Sequence, residues 1–497
     1  MSEPTADQPP DRPPISAADR ASRAAQPETP RAGASEDAAE RPAGSGTSEA
    51  PSDATPAGSL SQQLRLQELW SRRIWTQRIA LWVAACAVAG AAIVFALAAD
   101  FVEASFRDRI ERSPYLPLLV TPVGLALTAW LVRFFPGTAG SGIPPVIAAL
   151  ALTERSARAG LISLRIAFGK IALTLLGIGA GASVGREGPM VQVGASIMHA
   201  LGGVGRPAYP GIERGLIVAG GAAGIAAAFN TPLTGIVFAV EMSRSLEERT
   251  SGTILTAVIL AGFIALAVLG DYTYFGRTSA AASLGDAWIA VGVVGVAGGL
   301  AGGLFSRVLS GAARGLPGRL GEFSRVRPIA FAAACGLVVA LIGLASDGTS
   351  YGTGYYEARQ IIEGTAELSW TYGLYKLLAT IVSAVSGIPG GIFAPSLAIG
   401  AGLGANLAPL MPYLPAAVVA LLGMVAFFAG VLRVPITAFV IVLEMTDSQS
   451  MLMPLMATSL IATGMSRLIC PVPLFESLAA GLIPSRAPSS SGAPSVS

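Results

Sequence analysis

One carboxylate stands in a stretch of the sequence that is otherwise apolar. It is Glu187, in the pentapeptide Gly-Arg-Glu-Gly-Pro at positions 185–189. A carboxylate at membrane depth costs about 2.5–3.5 kcal/mol on insertion scales, so its presence indicates a function. The flanking glycines let the backbone approach a bound species, and Pro189 suits the first turn of a helix, whose N-terminus attracts anions. This pattern predicts that the carboxylate and a mobile anion compete for one place. The alternative is a glutamate that only caps a helix.

Two further Gly/Pro-rich elements have the same form. They are Gly-Ser-Gly-Ile-Pro at positions 140–144 and Gly-Gly-Ile-Phe-Ala-Pro at positions 390–395, each entering an apolar run. Three helix N-termini aimed at one point would hold an anion by backbone amides without a full opposite charge. Such binding is weak enough to allow release, which conduction requires. Any one element reads equally well as a helix break in a membrane bundle, but the set of three favours an anion site.

The composition indicates what positions these elements. The chain has 497 residues, of which 52% are hydrophobic and 13% charged, with 59 glycines. Several apolar segments approach the roughly 20 residues needed to cross a bilayer, and abundant small residues suit close packing of membrane helices. A net charge of +2 gives no reason to expect a nucleic-acid partner. One histidine and three scattered cysteines argue against a metal or redox centre. The sequence shows no Ser/His or Asp/Asp pair of the kind that would indicate an enzyme.

The ends of the chain differ from its middle. Residues 1–60 are rich in Pro, Ala, Ser and Gly, and they are predicted to be disordered because they cannot bury enough apolar surface. Arginines at 65, 72, 73 and 78 precede a first span at about 79–102, which predicts a cytoplasmic N-terminus. Several later apolar segments are too short to cross alone. Broken spans of this kind are how transporters place helix ends at the midplane.

An internal repeat divides the chain into two halves, at about 70–270 and 287–484. Pro232 and Glu241 in the first half recur as Pro435 and Glu444, each 203 positions later, with Thr two residues after the proline and Met after the glutamate. Repeated halves are typical of transporters, whose binding site lies at the interface of the halves. Glu241 and Glu444 end apolar runs, so they are interpreted as structural groups at helix ends.

These elements, with Asn-Thr-Pro at 230–232 and Leu-Glu-Met-Thr at 443–446, closely resemble the CLC family of chloride channels and chloride/proton exchangers. The resemblance covers about residues 70–484. It implies an all-α integral membrane protein whose transmembrane domain, 61–484, has two inverted-topology repeats of broken, tilted helices, followed by a disordered tail at 485–497. It also implies a homodimer with one pore per subunit in the cell (inner) membrane, with chloride as the transported ion, protons as a second one in exchangers, and no cofactor.

The resemblance assigns a central chloride site. Ser141 matches the family serine whose hydroxyl binds chloride, and the amides of Ile392 and Phe393 match its backbone donors. Serine at this position, where nitrate- and fluoride-preferring relatives have proline or methionine, argues for chloride. Phe475 stands where the family has an inner tyrosine that also touches chloride. A phenyl ring supplies no hydroxyl, so the inner gate is expected to close less well.

The resemblance also assigns a gate. Glu187 matches the gating glutamate and proton acceptor, whose carboxylate occupies an anion site until it is protonated, and the amides of Arg186 and Gly188 flank that site. Met242 replaces the second, inner glutamate that many exchangers use for protons. Because methionine cannot carry a proton, passive or weakly coupled chloride conduction is the expectation. The alternative is a chloride/proton antiporter that relays protons through water past Met242, with Glu187 as its sole essential carboxylate.

Two single residues receive simpler interpretations. Lys170, alone in an apolar segment, matches a buried family lysine. It either raises the local potential for anions or pairs with a carboxylate or a carbonyl. His199 has no apparent partner in the sequence and is expected to be a packing or surface residue.

Overall fold

The fold is known from a computed structural model that describes residues 72–202, 210–242, 248–270, 273–276, 284–365 and 368–483. The predicted tails, 1–60 and 485–497, lie outside these residues. Within the described part of the chain, regular structure is helical apart from two isolated backbone bridges. The prediction of an all-α fold is confirmed.

The helices of the first half, in chain order, are α1 (Arg72–Arg112), α2 (Pro117–Val132), α3 (Ile143–Ala151), α4 (Arg155–Ala159), α5 (Leu164–Gly179), α6 (Glu187–Gly202), α7 (Pro210–Phe229), α8 (Pro232–Met242) and α9 (Glu248–Leu269). Those of the second half are α10 (Leu284–Arg314), α11 (Gly318–Val326), α12 (Pro328–Ala345), α13 (Tyr355–Glu363), α14 (Tyr372–Val385), α15 (Phe393–Leu407), α16 (Ala416–Leu432), α17 (Pro435–Thr446), α18 (Leu452–Ile469) and α19 (Leu474–Ala480). Short 3₁₀ turns follow α15 and precede α18.

Membrane-length helices form the frame of the fold. In the described residues, seven helical segments are long and apolar enough to cross a bilayer by length and composition. The longest helix, α1, has 41 residues and so extends roughly 60 Å at 1.5 Å per residue. This length exceeds the roughly 30 Å of a hydrocarbon core, so α1 must tilt or project beyond it. Large apolar side chains such as Phe101 and Phe168 point outward, as they do where lipid is the solvent.

The repeat detected in the sequence is also a repeat of packing. In the first half α6 crosses α7 at Gly194 and Gly220, and in the second half α15 crosses α16 at Gly400 and Gly423. At each of these four positions, an added Cβ atom would overlap the backbone of the partner helix. Small residues therefore bring the helix axes together at equivalent points in both halves.

The short helices α8 and α17 join the halves through two reciprocal contacts. The carboxylate of Glu241, near the end of α8, accepts hydrogen bonds from the backbone N–H groups of Ile436 (3.0 Å) and Thr437 (2.7 Å) in the first turn of α17. Glu444, near the end of α17, accepts in the same way from the N–H groups of positions 233 and 234 in α8, at 2.9 and 2.7 Å. A threonine hydroxyl adds a third bond in each case. Each glutamate thus caps the helix of the other half, as the interpretation of both as structural groups expects.

Candidate functional site

The starts of α3, α6 and α15 meet at one place, called here the helix-start junction. Gly185, just before α6, and Gly391, just before α15, exchange two backbone hydrogen bonds of 2.7 Å. Gly140, before α3, donates to the carbonyl of Ile388 (3.3 Å) and accepts from Gly390 (3.2 Å). These backbone pairs tie three helix N-termini from both halves of the chain together. The three Gly/Pro-rich elements seen in the sequence therefore converge.

Glycine is required where α3 and α6 touch. Gly142, which precedes α3, has a φ of 106°, in the left-handed region. A Cβ atom there would also overlap the carbonyl of Gly188. Conversely, a Cβ atom on Gly188 would overlap the side chain and carbonyl oxygens of Ser141. The first turn of α6 therefore lies directly against the turn that carries the serine.

Lys170 holds the segment before Ser141 through hydrogen bonds to backbone carbonyls. It lies fully buried in α5, and its Nζ donates to the carbonyl oxygens of Thr138 (2.8 Å) and Gly140 (2.5 Å). Of the roles left open by the sequence, the structure shows pairing with carbonyls. A buried ammonium group needs such partners. These carbonyls belong to residues one and three positions before Ser141, so the charge of Lys170 lies close to that turn and both roles are compatible.

Three of the residues assigned to a central chloride site line one cavity, and the fourth, Phe393, is not among its described lining residues. Ser141, Ile392 and Phe475 line one cavity of about 520 Å³. The Oγ atom of Ser141 is buried and makes no hydrogen bond within the described residues. A buried hydroxyl normally has a partner, so this one is available to donate to an anion in the cavity. The cavity is also lined by Arg314 and Arg325, while no carboxylate belongs to its described lining.

Phe393 and Phe475 form the aromatic wall of this region. Phe393 begins α15, is fully buried, and stacks on the ring of Phe475 with centroids 6.2 Å apart and an angle of 27°. Its ring also meets Phe428 edge-on at 5.0 Å. The first N–H groups of α15 have no acceptor within their own helix. The rings thus pack around the start of α15, which places the amides of Ile392 and Phe393 at the junction.

Glu187 is the first residue of α6 and its side chain is fully buried. Its Oε1 accepts a hydrogen bond of 2.5 Å from the hydroxyl of Tyr355 and lies 4.0 Å from Nε of Arg186. Its Oε2 is buried without a hydrogen-bond partner in the described residues. A carboxylate offers about four acceptor sites, so Glu187 is only partly satisfied.

The side chain of Arg186, whose Nε lies near Glu187, bonds to α1 and to Tyr274. Its Nη1 atom donates to the carbonyl of Ala96 (2.8 Å) and to Asp100 (2.5 Å) in α1, and its Nη2 atom donates to the hydroxyl of Tyr274 (2.7 Å). The guanidinium therefore anchors the start of α6 to α1. The resemblance assigned only the backbone amide of Arg186, and no local pattern predicted the pairing of its side chain with α1.

Tyr355 and Tyr274 are residues that the sequence analysis missed. Tyr355 begins α13, directly after Gly354, whose φ is 85°. The segment Gly-Thr-Gly-Tyr at 352–355 is a fourth glycine-rich helix start. That similarity to the three recognised elements was the available signal.

Met242 and His199 lie away from the junction. Met242 ends α8, packs against both large apolar clusters, and is not among the residues that line the cavity. The expectation that His199 has no partner is wrong: its Nε2 lies 2.9 Å from Glu213, which also pairs with the buried Arg158 at 2.8 Å. Glu213 is in α7, and only the packing of α6 on α7 brings the two together.

Comparison with known proteins places these features in a family. The family described as "Voltage gated chloride channel" matches residues 124–467. The H(+)/Cl(-) exchange transporter ClcA of Cronobacter sakazakii is 30% identical over 425 residues, covering 78% of this chain and 86% of that protein. The transporter of the same name from Klebsiella pneumoniae is 30% identical over 388 residues, covering 72% and 79%.

Solved structures show the same architecture. A slow cyanobacterial Cl⁻/H⁺ antiporter superposes with a TM-score of 0.71 at 26% identity, covering 83% of this chain and 99% of that one. A CLC-type fluoride/proton antiporter superposes with a TM-score of 0.68 at 23% identity, covering 81% and 98%. The second likeness is informative for the fold alone.

Proposed function

Since the chain belongs to the voltage-gated chloride channel family, we propose that it exchanges chloride for protons across the membrane through the helix-start junction. The relatives favour exchange over the passive conduction that the sequence alone suggested. Both ClcA proteins are named as H(+)/Cl(-) exchange transporters, and the first structural neighbour is named as a Cl⁻/H⁺ antiporter. The coupled antiporter, which was the alternative, is therefore the better-supported function.

The observation that carries this proposal is the partial satisfaction of Glu187. Its carboxylate is fully buried at the start of α6, with one oxygen held by Tyr355 and the other unpartnered in the described residues. While it is charged, the helix N-terminus attracts it, as it would attract chloride. Protonation removes that attraction and lets the side chain leave. Chloride can then take its place, so one group couples the two ions.

Met242 and the cavity beside Ser141 bear on how many protons move with each chloride. Met242 cannot hold a proton, and the described lining of the 520 Å³ cavity beside Ser141 and Phe475 contains two arginines but no carboxylate. Arginine stays protonated in proteins, so it attracts anions but does not relay protons. We infer that protons reach Glu187 from this side through water, and that fewer protons move per chloride than in an exchanger with an inner acid.

Exposed apolar side chains on three helices indicate where a second subunit would bind. The apolar surface of α8 exposes Leu233 and Val240, its second-half equivalent α17 exposes Ile436, and the following helix α18 exposes Leu460, each 45–57% accessible. We propose that a second copy covers this face, giving a homodimer with one pathway per subunit, in the inner membrane if the source is bacterial. Cross-linking in detergent at low protein concentration tests this. A monomer under conditions that preserve transport would contradict it.

The test of exchange uses purified protein in liposomes loaded with chloride. Valinomycin lets potassium balance the charge that chloride carries, so that a membrane potential does not stop the efflux. Chloride efflux is recorded together with external pH. Exchange predicts that the medium becomes alkaline as chloride leaves and that an uncoupler reverses this change. Protein-free liposomes provide the baseline. Chloride efflux without any pH change would favour passive chloride conduction instead. Absence of chloride efflux would contradict both exchange and passive conduction.

A further inference from the structure

The hydroxyl of Tyr355 is the only side-chain hydrogen-bond donor to Glu187 in the described residues. Its Oη atom lies 2.5 Å from Oε1 of the carboxylate. The two residues are 168 positions apart, and they belong to different halves of the chain. The bond therefore joins the second half of the protein directly to the residue proposed as its gate.

The loop before Tyr355 is fixed by a buried lysine. Lys376 in α14 is fully buried, and its Nζ donates to the carbonyl oxygens of Ser350 (3.2 Å), Tyr351 (3.0 Å) and Gly352 (2.8 Å). Hydrogen bonds from a charged donor are stronger than those between neutral groups, so three of them restrain the backbone of this loop strongly. Positions 350–352 are thereby held against α14.

A second anchor holds the loop from the other side. Thr353 donates to the carboxylate of Glu103 in α1 through its backbone N–H (2.9 Å) and its hydroxyl (3.0 Å). The hydroxyl also lies 3.4 Å from the N–H of Tyr355, which donates to it. Two opposite charges, from α1 and α14, thus position the residue that begins α13. Such an arrangement orients a side chain more tightly than ring packing alone.

The surroundings of Tyr355 leave its hydroxyl directed at Glu187. Its ring packs against Tyr274 at 5.1 Å and Phe275 at 5.2 Å. The charged and titratable groups on the neighbouring elements are Arg186 on α6, Asp100 on α1, which Arg186 binds, and Tyr274 in the 273–276 segment. From α15, it is the backbone of Ala394 that approaches Glu187. Beyond these, Glu357 on α13 is paired with Arg107 on α1 at 2.9 Å.

We propose that Tyr355 is a positioning residue that holds Glu187 in the closed position by donating a hydrogen bond to its carboxylate. This rests on the proposed function, in which protonation of Glu187 opens the pathway. A hydroxyl stabilises a charged acceptor more than a neutral one. Tyr355 therefore sets how acidic the medium must be before Glu187 releases. The loop held by Lys376 and Glu103 keeps that threshold constant.

The test replaces the hydroxyl alone. Tyr355→Phe keeps the ring that packs on Tyr274, so chloride flux at neutral pH should rise. The pH of half-maximal flux should move upward by about one unit, the equivalent of one lost hydrogen bond to a charged group. Tyr351→Phe is the matched control in the same loop. Its hydroxyl donates to the carbonyl of Ala340 (3.0 Å), away from Glu187, so its pH profile should stay in place.

The same substitution in a Glu187→Gln background separates this proposal from the proposed function. With no carboxylate to hold, Tyr355→Phe should add nothing there. The positioning role is overturned if Tyr355→Phe behaves like Tyr351→Phe, or if it still raises chloride flux when residue 187 is Gln. If Glu187→Gln itself keeps the wild-type pH dependence, the proposed function fails instead.

A second variant protects the test against misfolding. Tyr355 replaced by a fluorinated tyrosine keeps the shape of the side chain and makes its hydroxyl a stronger donor. The pH of half-maximal flux should then move downward, opposite to the effect of Tyr355→Phe. A shift in the same direction for both variants would indicate a packing effect and would overturn the proposal.

Discussion

The carboxylates of two kinds of glutamate lie at helix N-termini in this protein, either their own or that of a helix in the other half. Glu241 and Glu444 each accept two backbone N–H bonds and one hydroxyl bond from the first turn of a helix in the other half. Glu187 has one hydroxyl bond, and its second oxygen is unpartnered in the described residues. A carboxylate with its acceptors filled is a fixed cap. We propose that Glu187, with fewer hydrogen bonds, exchanges its place with another anion, so that its function follows from the donors it lacks.

The halves of the chain also differ at the junction. Pro189 is the third residue of α6 and Pro395 the third residue of α15, so Glu187 and Phe393 occupy equivalent first positions. One half contributes a carboxylate there and the other a buried phenyl ring. The repeat therefore supplies two matching helix starts, and a single difference in side chain gives only one of them a proton-binding group.

The largest expected effect is at Glu187. Glu187→Gln imitates the protonated acid, so it should conduct chloride without acid, lose most of its pH dependence and show no proton coupling. The measurement is chloride efflux from liposomes across a range of external pH, with pH recording. Glu241→Gln and Glu444→Gln are the controls and should keep the wild-type profile. Wild-type pH dependence in folded Glu187→Gln would place the gate elsewhere.

The next effect is on stability and falls on the caps. An amide at 241 or 444 turns one acceptor into a donor that opposes a backbone N–H group. Each of Glu241→Gln and Glu444→Gln should therefore lower the free energy of unfolding by about 1.5–3 kcal/mol. Thermal unfolding in detergent measures this.

A surface glutamate provides the reference for this measurement. Glu363 pairs with Arg359 on the outside of α13 at 2.8 Å, so Glu363→Gln should cost only about 0.5 kcal/mol. Equal losses at 241, 363 and 444 would contradict the difference between caps and surface groups.

How far the sequence anticipated this site depends on the range of the interactions. The three glycine-rich helix starts and the equivalent prolines are local patterns, so they could be recognised from the sequence alone. The partners of Glu187 and Arg186 were not, because Tyr355 and Asp100 are 168 and 86 positions away from them. The His199–Glu213 pair was missed for the same reason. Periodicity locates helices, but which side chains face each other follows from their crossing points.

A smaller effect is expected on anion choice. Ser141→Pro removes the Ser141 hydroxyl from the cavity and reshapes its turn, so preference should shift from chloride toward nitrate by about fivefold, the equivalent of one net hydrogen bond. Anion-substitution fluxes in liposomes measure the ratio. Ser386 lines the same cavity, but its hydroxyl donates to the carbonyl of Ser383 (2.7 Å). Ser386→Ala should leave the ratio unchanged, and an equal shift in both variants would remove the special role of Ser141.

The smallest effect is expected from adding a third kind of glutamate. Met242 packs in both apolar clusters, so Met242→Glu would introduce a carboxylate without the helix-start donors that hold Glu241 and Glu444. Burial without those donors should cost about 1–3 kcal/mol of stability. If proton supply from this side limits coupling, the number of protons moved per chloride should rise modestly. Met242→Gln, which is polar but cannot ionise under these conditions, is the control. An equal rise in both variants would assign the effect to shape or hydration, and no rise in either would show that protons reach Glu187 without passing position 242.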